Sequence, residues 1–326
     1  MFPFCADADH KMKVVHPLSR LSPKHKIVAA TSLLHEIYVI TENSDTVYVY
    51  FCHRPHHLKA SVHIPRMNPV DIATSYADVC VYILDSDNVC LWRVYRNLTT
   101  KKYPLDANPG EALKSMSITQ KGVVVIVQSG NKIVMYDPLN GDTKHVSLDG
   151  VLGDGKFIVH ATVIGENRLI ACHDTQTLLY DLERTEVCSI VNRGGNHMTL
   201  KNSECAIIAD TTGKQVWMLD VENKEMKNER FLTLEKGEME TPRHVHYALE
   251  NGLLLLSSLS CLGVHSFDKV DVDSHLAATK TEPRQQQESG TAALKTNVSQ
   301  SETHRPVRNG EIAVPHWIYG KLLLAY

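Results

Sequence analysis

The residues of this chain best equipped for chemistry are its histidines. There are 18 of them, and His53, His56 and His57 fall together in FCHRPHHL, beside Cys52. Imidazole nitrogens with a thiolate are ligands for Zn²⁺ or Cu²⁺. Structural zinc sites, however, ordinarily draw on two separated ligand pairs, and Pro55 reads as a turn between strands. The expectation for this run is a solvated loop. A second pair, His244 and His246, stands at i and i+2, so on a strand both rings leave by one face. Two metal ligands or a polar channel lining are the chemical readings; a strand face of mixed polar groups is the simpler one. No GxSxG nucleophile motif occurs. The neighbours Cys52-His53 and Cys172-His173 point to opposite faces of a strand, so neither is a thiol–imidazole pair. Phosphate-cradling glycine loops are missing as well, and Gly194-Gly195 in NRGGN reads as a turn. The residues assign no catalytic group, no metal site and no cofactor.

Composition narrows the classes further. The 326 residues are 43% hydrophobic and 22% charged, enough for a sizeable core in a soluble protein. A net charge of −3 argues against coating nucleic acid or an anionic membrane by bulk charge. No apolar run approaches the ~20 residues of a bilayer span, and MFPFCADADHKMK has no apolar leader pattern. The eight cysteines are scattered, with no CxxC pair, and most sit in apolar runs such as CVYIL and CAIIA. They read as small buried hydrophobes in a reducing, cytoplasmic setting.

The elements that must position any site emerge from internal repetition. Aliphatic and β-branched runs recur: IYVIT from Ile37, CVYIL from Cys80, VVVIV from Val123, RLIAC from Arg168, CAIIA from Cys205 and LLLLS from Leu253. Each is followed by a polar turn and a second run that ends on a large apolar residue: Tyr50, Trp92, Tyr136, Tyr180, Leu219 and Phe267. The period is about 40–50 residues, that of a propeller blade. Third runs, KASVHI, KKYPLD, KHVSLD, EVCSIV and ERFLTL, follow five of the six hairpins. The sequence thus predicts an all-β, six-bladed propeller of four-stranded antiparallel blades over residues 11–269. Residues 1–10 form an extension. The run from Lys13 to Pro17 resembles that from Lys59 to His63, which makes an N-terminal strand the expected closure of blade six.

Two segments carry a family likeness. Ala209-Asp210-Thr211-Thr212-Gly213-Lys214-Gln215-Val216-Trp217-Met218-Leu219 resembles the NHL-repeat core, in which a small residue and Asp end one strand before a polar turn. Leu84-Asp85-Ser86-Asp87-Asn88-Val89-Cys90-Leu91-Trp92 is similar. Asn68 to Ala73 and Thr241 to Val245 look like the Pro-initiated strand that begins such repeats. A WD40 reading is the structural alternative, since Tyr136-Asp137-Pro138 looks WD-like, but the Gly-His…Trp-Asp pairing is missing from every blade. The resemblance to NHL/YVTN propellers implies interaction modules, RNA-binding domains or, in related six-bladed folds, calcium-dependent lactonase or esterase-like enzymes.

In a propeller, the loops before the innermost strands and the turns between the second and third strands share one face. That places Arg20, Arg66 and Arg243 on a common rim with Asp45, Asp85, Asp87, Asp174 and Asp210. Mixed charge of this kind suits a protein partner better than a polyanion. The expected function is a non-catalytic protein-interaction scaffold, with Arg20, Arg66, Asp87 and Arg243 as partner-binding residues, RNA as the alternative ligand and no membrane association. Residues 270–310 lack Phe, Tyr and Trp and are expected to be disordered. Residues 311–326 turn apolar again and are expected to dock as an extra strand, the alternative being a tethered motif for a partner.

Overall fold

A computed structural model of the chain describes residues 26–52, 57–106, 111–151, 153, 155–222, 225–233, 241–248, 250, 252–258 and 261–266. These residues form strands and turns only. Blade 1 is β1 (Ile27–Leu33), β2 (Glu36–Thr41), β3 (Thr46–Phe51) and β4 (Leu58–His63). Blade 2 is β5 (Pro69–Ser75), β6 (Cys80–Asp85), β7 (Cys90–Tyr95) and β8 (Thr100–Pro104). Blade 3 is β9 (Leu113–Ile118), β10 (Val124–Gln128), β11 (Lys132–Tyr136) and β12 (Thr143–Ser147). Blade 4 is β13 (His160–Ile164), β14 (Arg168–Cys172), β15 (Thr177–Asp181) and β16 (Glu186–Val191). Blade 5 is β17 (His197–Leu200), β18 (Cys205–Asp210), β19 (Gln215–Glu222) and β20 (Glu225–Thr233). Blade 6 is β21 (His244–Ala248), β22 (Leu253–Ser257) and β23 (Leu262–Ser266). Each blade is an antiparallel meander in chain order.

The sequence pattern explains which strand lies where. The second strand of a blade has a neighbour on both edges and another blade against each face, so it reads as an unbroken apolar run. CVYILD of β6 and CAIIAD of β18 are buried at every position. Outer strands are largely exposed instead: in TKKYP of β8 only Tyr103 is buried.

The first strands touch in a ring: β1 on β5, β5 on β9, β9 on β13, β13 on β17, β17 on β21, and β21 back on β1. Each of the six junctions carries an apolar cluster. Val47, Val49 and Ile64 of blade 1 meet Ile72, Val81 and Ile83 of blade 2. Around the other side, Ala30, Ile37 and Tyr50 of blade 1 meet Leu255, Leu262 and Val264 of blade 6. The fold is therefore a six-bladed propeller, as the repeat predicts. The expected closing strand near Lys13, the tail after residue 269 and the docked terminal segment lie outside the described residues.

Candidate functional site

The first strands are less apolar than the second, and their polar side chains are buried at the propeller axis. Thr31 and Ser32 (β1), Asp71 and Thr74 (β5), Ser115 and Ser117 (β9), His160 and Thr162 (β13), His197 (β17), and His244 and His246 (β21) are all less than a tenth exposed. Polar groups removed from water must find partners, and here several find them across blade junctions. Ser115 and Ser117 Oγ donate to the Val159 and Ala161 carbonyls at 2.7 and 2.8 Å. Thr74 Oγ1 donates to the Ser32 carbonyl at 2.8 Å. His246 closes blade 6 on blade 1, with Nδ1 3.1 Å from Thr31 Oγ1 and Nε2 3.2 Å from Ser32 Oγ.

Asp71 is the hub of the layer nearer the starts of these strands. Pairing of β5 with β6 shifts register between Pro69 and Asp71. A bulge of this kind re-aims the side chain beside it. Oδ1 accepts from the Ile72 amide and Oδ2 from the Met116 amide, each at 2.8 Å. His244 Nε2 lies 3.2 Å from Oδ1, and His197 Nε2 lies 3.4 Å from Oδ2. The His197 ring stands 4.0 Å from that of His160 on one side and 3.8 Å from that of His244 on the other. His160 Nε2 donates to the Met116 carbonyl at 3.2 Å, so one peptide ties Asp71 to His160.

Gly194 and Gly195 allow a close approach of backbones at the junction of blades 4 and 5. A Cβ on Gly194 would sit 2.0 Å from the His173 carbonyl oxygen, and one on Gly195 would sit 2.2 Å from Ile208. The pair read as a turn is also a close approach of backbones, immediately before His197. The Gly194 carbonyl accepts from the Trp217 indole at 3.2 Å.

Burial alone would raise the Asp71 carboxyl, but the adjoining His197 and His244 hold it well below the usual carboxylate range. Burial pulls the imidazoles the other way, to about 4 for His244 and about 3 for His246, and holds His160 well below the usual histidine value. The cluster thus sets an ionised carboxylate beside His160 and His244, whose imidazoles resist protonation. Asp71, His197 and His244 each offer one donor atom, and these atoms lie within 4.8 Å of one another. Three blades supply them, so no short motif announces the set. Two parts were legible all the same. His244 and His246 do share the axial face as the i, i+2 spacing requires, and Asp71 stands in the Pro-initiated NPVDIA segment.

The residues expected to bind a partner lie elsewhere, on the face where the first strands begin, here the top. Arg66 precedes β5, Asp87 lies in the β6–β7 turn and Arg243 precedes β21; all three are exposed. Arg66 and Asp87 share the rim of blade 2. Asn88 Nδ2 donates to the Arg66 carbonyl at 2.8 Å, and Asn68 Nδ2 donates to Asp87 Oδ1 at 2.9 Å. Arg66 adopts φ 60°, the left-handed region that non-glycine residues seldom occupy. Arg243 is on blade 6, beyond blade 1, and its amide donates to the Ser257 carbonyl at 2.8 Å. Arg20 is outside the described residues.

Two of the rim aspartates have a different occupation. Asp85 is fully buried and Asp210 nearly so. Asp85 accepts from the Asn68 and Asn88 amides at 3.2 Å, from Asn88 Nδ2 at 2.7 Å and from the Trp92 indole at 2.9 Å. Asp210 accepts from the Gly213 amide at 2.7 Å and from Gln215 Nε2 at 3.1 Å. The Asp of the NHL-like segments is a turn cap, and the exposed charge of the rim rests on the remaining residues.

Of the histidine-rich loop, His53 and His56 lie outside the described residues, while His57 is exposed. Burial pushes the Cys52 thiol up to about 12, which disfavours a thiolate ligand there. All seven described cysteines are thiols, and no helix among the described residues is long and apolar enough to cross a membrane.

No family model matches the chain, and no curated protein matches it in sequence. Solved structures do. The WD40 β-propeller domain of Doa1 is 14% identical at a TM-score of 0.54, covering 80% of this chain and 98% of its own. A streptogramin B lyase is 12% identical at 0.53, covering 78% and 96%. A catalytically inactive histidine-to-alanine variant of virginiamycin B lyase from Staphylococcus aureus, solved with quinupristin, is 12% identical at 0.56, covering 80% and 90%. The likeness is one of fold. It supports the propeller, while the NHL likeness rests on the repeat segments alone.

Proposed function

We propose that this propeller is a non-catalytic, cytoplasmic scaffold that presents its top face to a protein partner. The observation that carries this reading is the closed axis. The polar residues at the centre are each less than a tenth exposed, which supports recognition on the rim over recognition at the axis. A calcium-dependent lactonase would need six to eight oxygen ligands around its ion. The axis offers imidazoles, hydroxyls and, among the described residues, the single carboxylate of Asp71.

The top rim is rigid where the scaffold reading needs it. Asp85 and Asp210 brace the turns of blades 2 and 5, and Thr211 Oγ1 donates to the Pro242 carbonyl at 2.7 Å, fastening blade 5 to the loop of blade 6. Braced loops lose little entropy on binding. Arg66, Asp87, Asp174 and Arg243 give a rim of mixed sign, which favours a protein surface over a polyanion. The neighbours include both a WD40 domain and lyases, so the fold does not choose between binding and catalysis; the mixed-charge rim supports the binding reading.

The test is capture from native lysate by the wild-type chain and by an Arg66→Glu/Arg243→Glu variant, with and without nuclease. A nuclease-resistant partner that the variant loses supports the proposal. A partner released by nuclease, with binding that falls steeply with salt, replaces it with RNA recognition. Capture unchanged in the variant refutes the top rim as the interaction surface.

A further inference from the structure

We propose that Asp71, His197 and His244 form a structural binding site for one zinc-class divalent transition-metal ion at the propeller axis. The donors are His197 Nε2, His244 Nε2 and the Asp71 carboxylate. The two nitrogen–oxygen distances are 3.4 and 3.2 Å. A tetrahedral ion with bonds of about 2.0–2.1 Å sets its ligand atoms about 3.3–3.4 Å apart. Each nitrogen thus stands at about that spacing from one carboxylate oxygen, His197 from Oδ2 and His244 from Oδ1, and one donor atom from each of the three residues lies within 4.8 Å of the others.

A second observation points the same way. His197 Nε2 and both ring nitrogens of His244 meet no well-aligned hydrogen-bond partner among the described residues, although the atoms are buried and the His244 side chain is only 5% exposed. The contacts to Asp71 at 3.2 and 3.4 Å are close ion-pair contacts, but they fall short of well-aligned hydrogen bonds. Leaving buried polar atoms unsatisfied is costly. An ion between the donors would satisfy both Nε2 atoms and the carboxylate at once.

The surroundings supply part of what such a ligand set requires. Each Asp71 oxygen is already fixed by a backbone amide, Ile72 on one side and Met116 on the other. Outer partners of this kind orient a ligating carboxylate. His160 stacks on His197 and is itself held by the Met116 carbonyl. Val245 donates its amide to His197 Nδ1 at 3.5 Å, the longest bond of the layer. Metal ligation through Nε2 shifts the His197 proton to Nδ1 and gives up that bond. Two imidazoles select zinc and its transition-metal neighbours over the hard cations Ca²⁺ and Mg²⁺. With ligands from blades 2, 5 and 6, the ion would tie distant parts of the chain into one ring and act on stability.

The experiment uses the full chain, expressed in zinc-supplemented medium and purified without a polyhistidine tag or chelator. Elemental analysis should find about one zinc per chain, reduced at least fivefold in both Asp71→Asn and His244→Gln and unchanged in His56→Ala/His57→Ala. Re-adding zinc to chelated wild-type protein at a hundredfold excess over its Kd should raise Tm by about 5 °C or more. Should the axial variants fail to fold, cobalt(II) loaded into the wild-type chain keeps the test decisive: the intense visible absorption of a tetrahedral site is expected. Wild-type protein that retains no zinc and melts identically with and without it overturns the site. So do zinc lost only from the His56→Ala/His57→Ala variant, and cobalt spectra of a purely octahedral ion.

Discussion

The axis and the blade junctions hold the same six blades together by opposite means. At the junctions, apolar residues such as Ile83, Leu254 and Trp217 are removed from water in continuous clusters. That attraction is large but non-directional, and it tolerates small sliding of one sheet over the next. At the axis the first strands are stitched by bonds that exist at one register only: Ser117 to the Ala161 carbonyl, Thr74 to the Ser32 carbonyl, the Met116 amide to Asp71. The junctions supply the bulk of cohesion, and the axis specifies how the blades are set.

The sharpest way to break this comparison is Asp71→Ala. It strips two buried amides of their acceptor and leaves His197 and His244 without a counter-group. Breaking a buried network by removing one partner costs ~3–5 kcal/mol. At roughly 2–4 °C per kcal/mol for a domain of this size, Tm should fall by about 10 °C. A variant melting within ~2 °C of wild type would reduce the axial layer to filler. Leu254→Ala, at the junction of blades 5 and 6, should cost somewhat less, ~3 kcal/mol, through a cavity alone. If it costs more than Asp71→Ala in the same calorimeter, cohesion outweighs specification.

Acid separates the two regions without mutation. The folded state disfavours protonated His160, His244 and His246, whereas the unfolded chain takes up those protons near pH 6.5. Between these limits the unfolded state binds more protons, so stability falls as pH falls. In chelated protein, Tm should be highest above pH 6.5 and decline steadily toward pH 4, where His244 titrates in the fold. The depressed Asp71 carboxyl adds to the loss only below the ordinary Asp value of 3.8. A flat Tm from pH 7 to 4.5 would mean that His160, His244 and His246 are not held neutral by the fold.

Smaller effects grade the stitches themselves. Thr74→Val conserves shape and removes a hydroxyl shared with the Ser32 carbonyl and Thr31, for an expected loss of ~1 kcal/mol. Arg66→Glu with Arg243→Glu should change stability by less than about 0.5 kcal/mol, because both side chains are exposed. A larger loss there would make the rim part of the structural frame and weaken it as a recognition surface.

The sequence alone determined the repeat, and with it the propeller. Short apolar runs at an even period cannot bury both faces of an isolated hairpin, so they must stack, and the second strands CVYIL, RLIAC and CAIIA announce this directly. It also marked the turn aspartates Asp85 and Asp210, although burial, not surface charge, turned out to be their setting. The i, i+2 pair His244 and His246 was visible, but its companions were not. Only the tertiary structure could bring Asp71, His197 and His244 within 4.8 Å, because the ring closes the chain on itself and collects one residue from each of three blades. Spacing along the chain carries no trace of that meeting: the distance between donors is set by how six sheets pack around an axis, and that is a property of the closed ring.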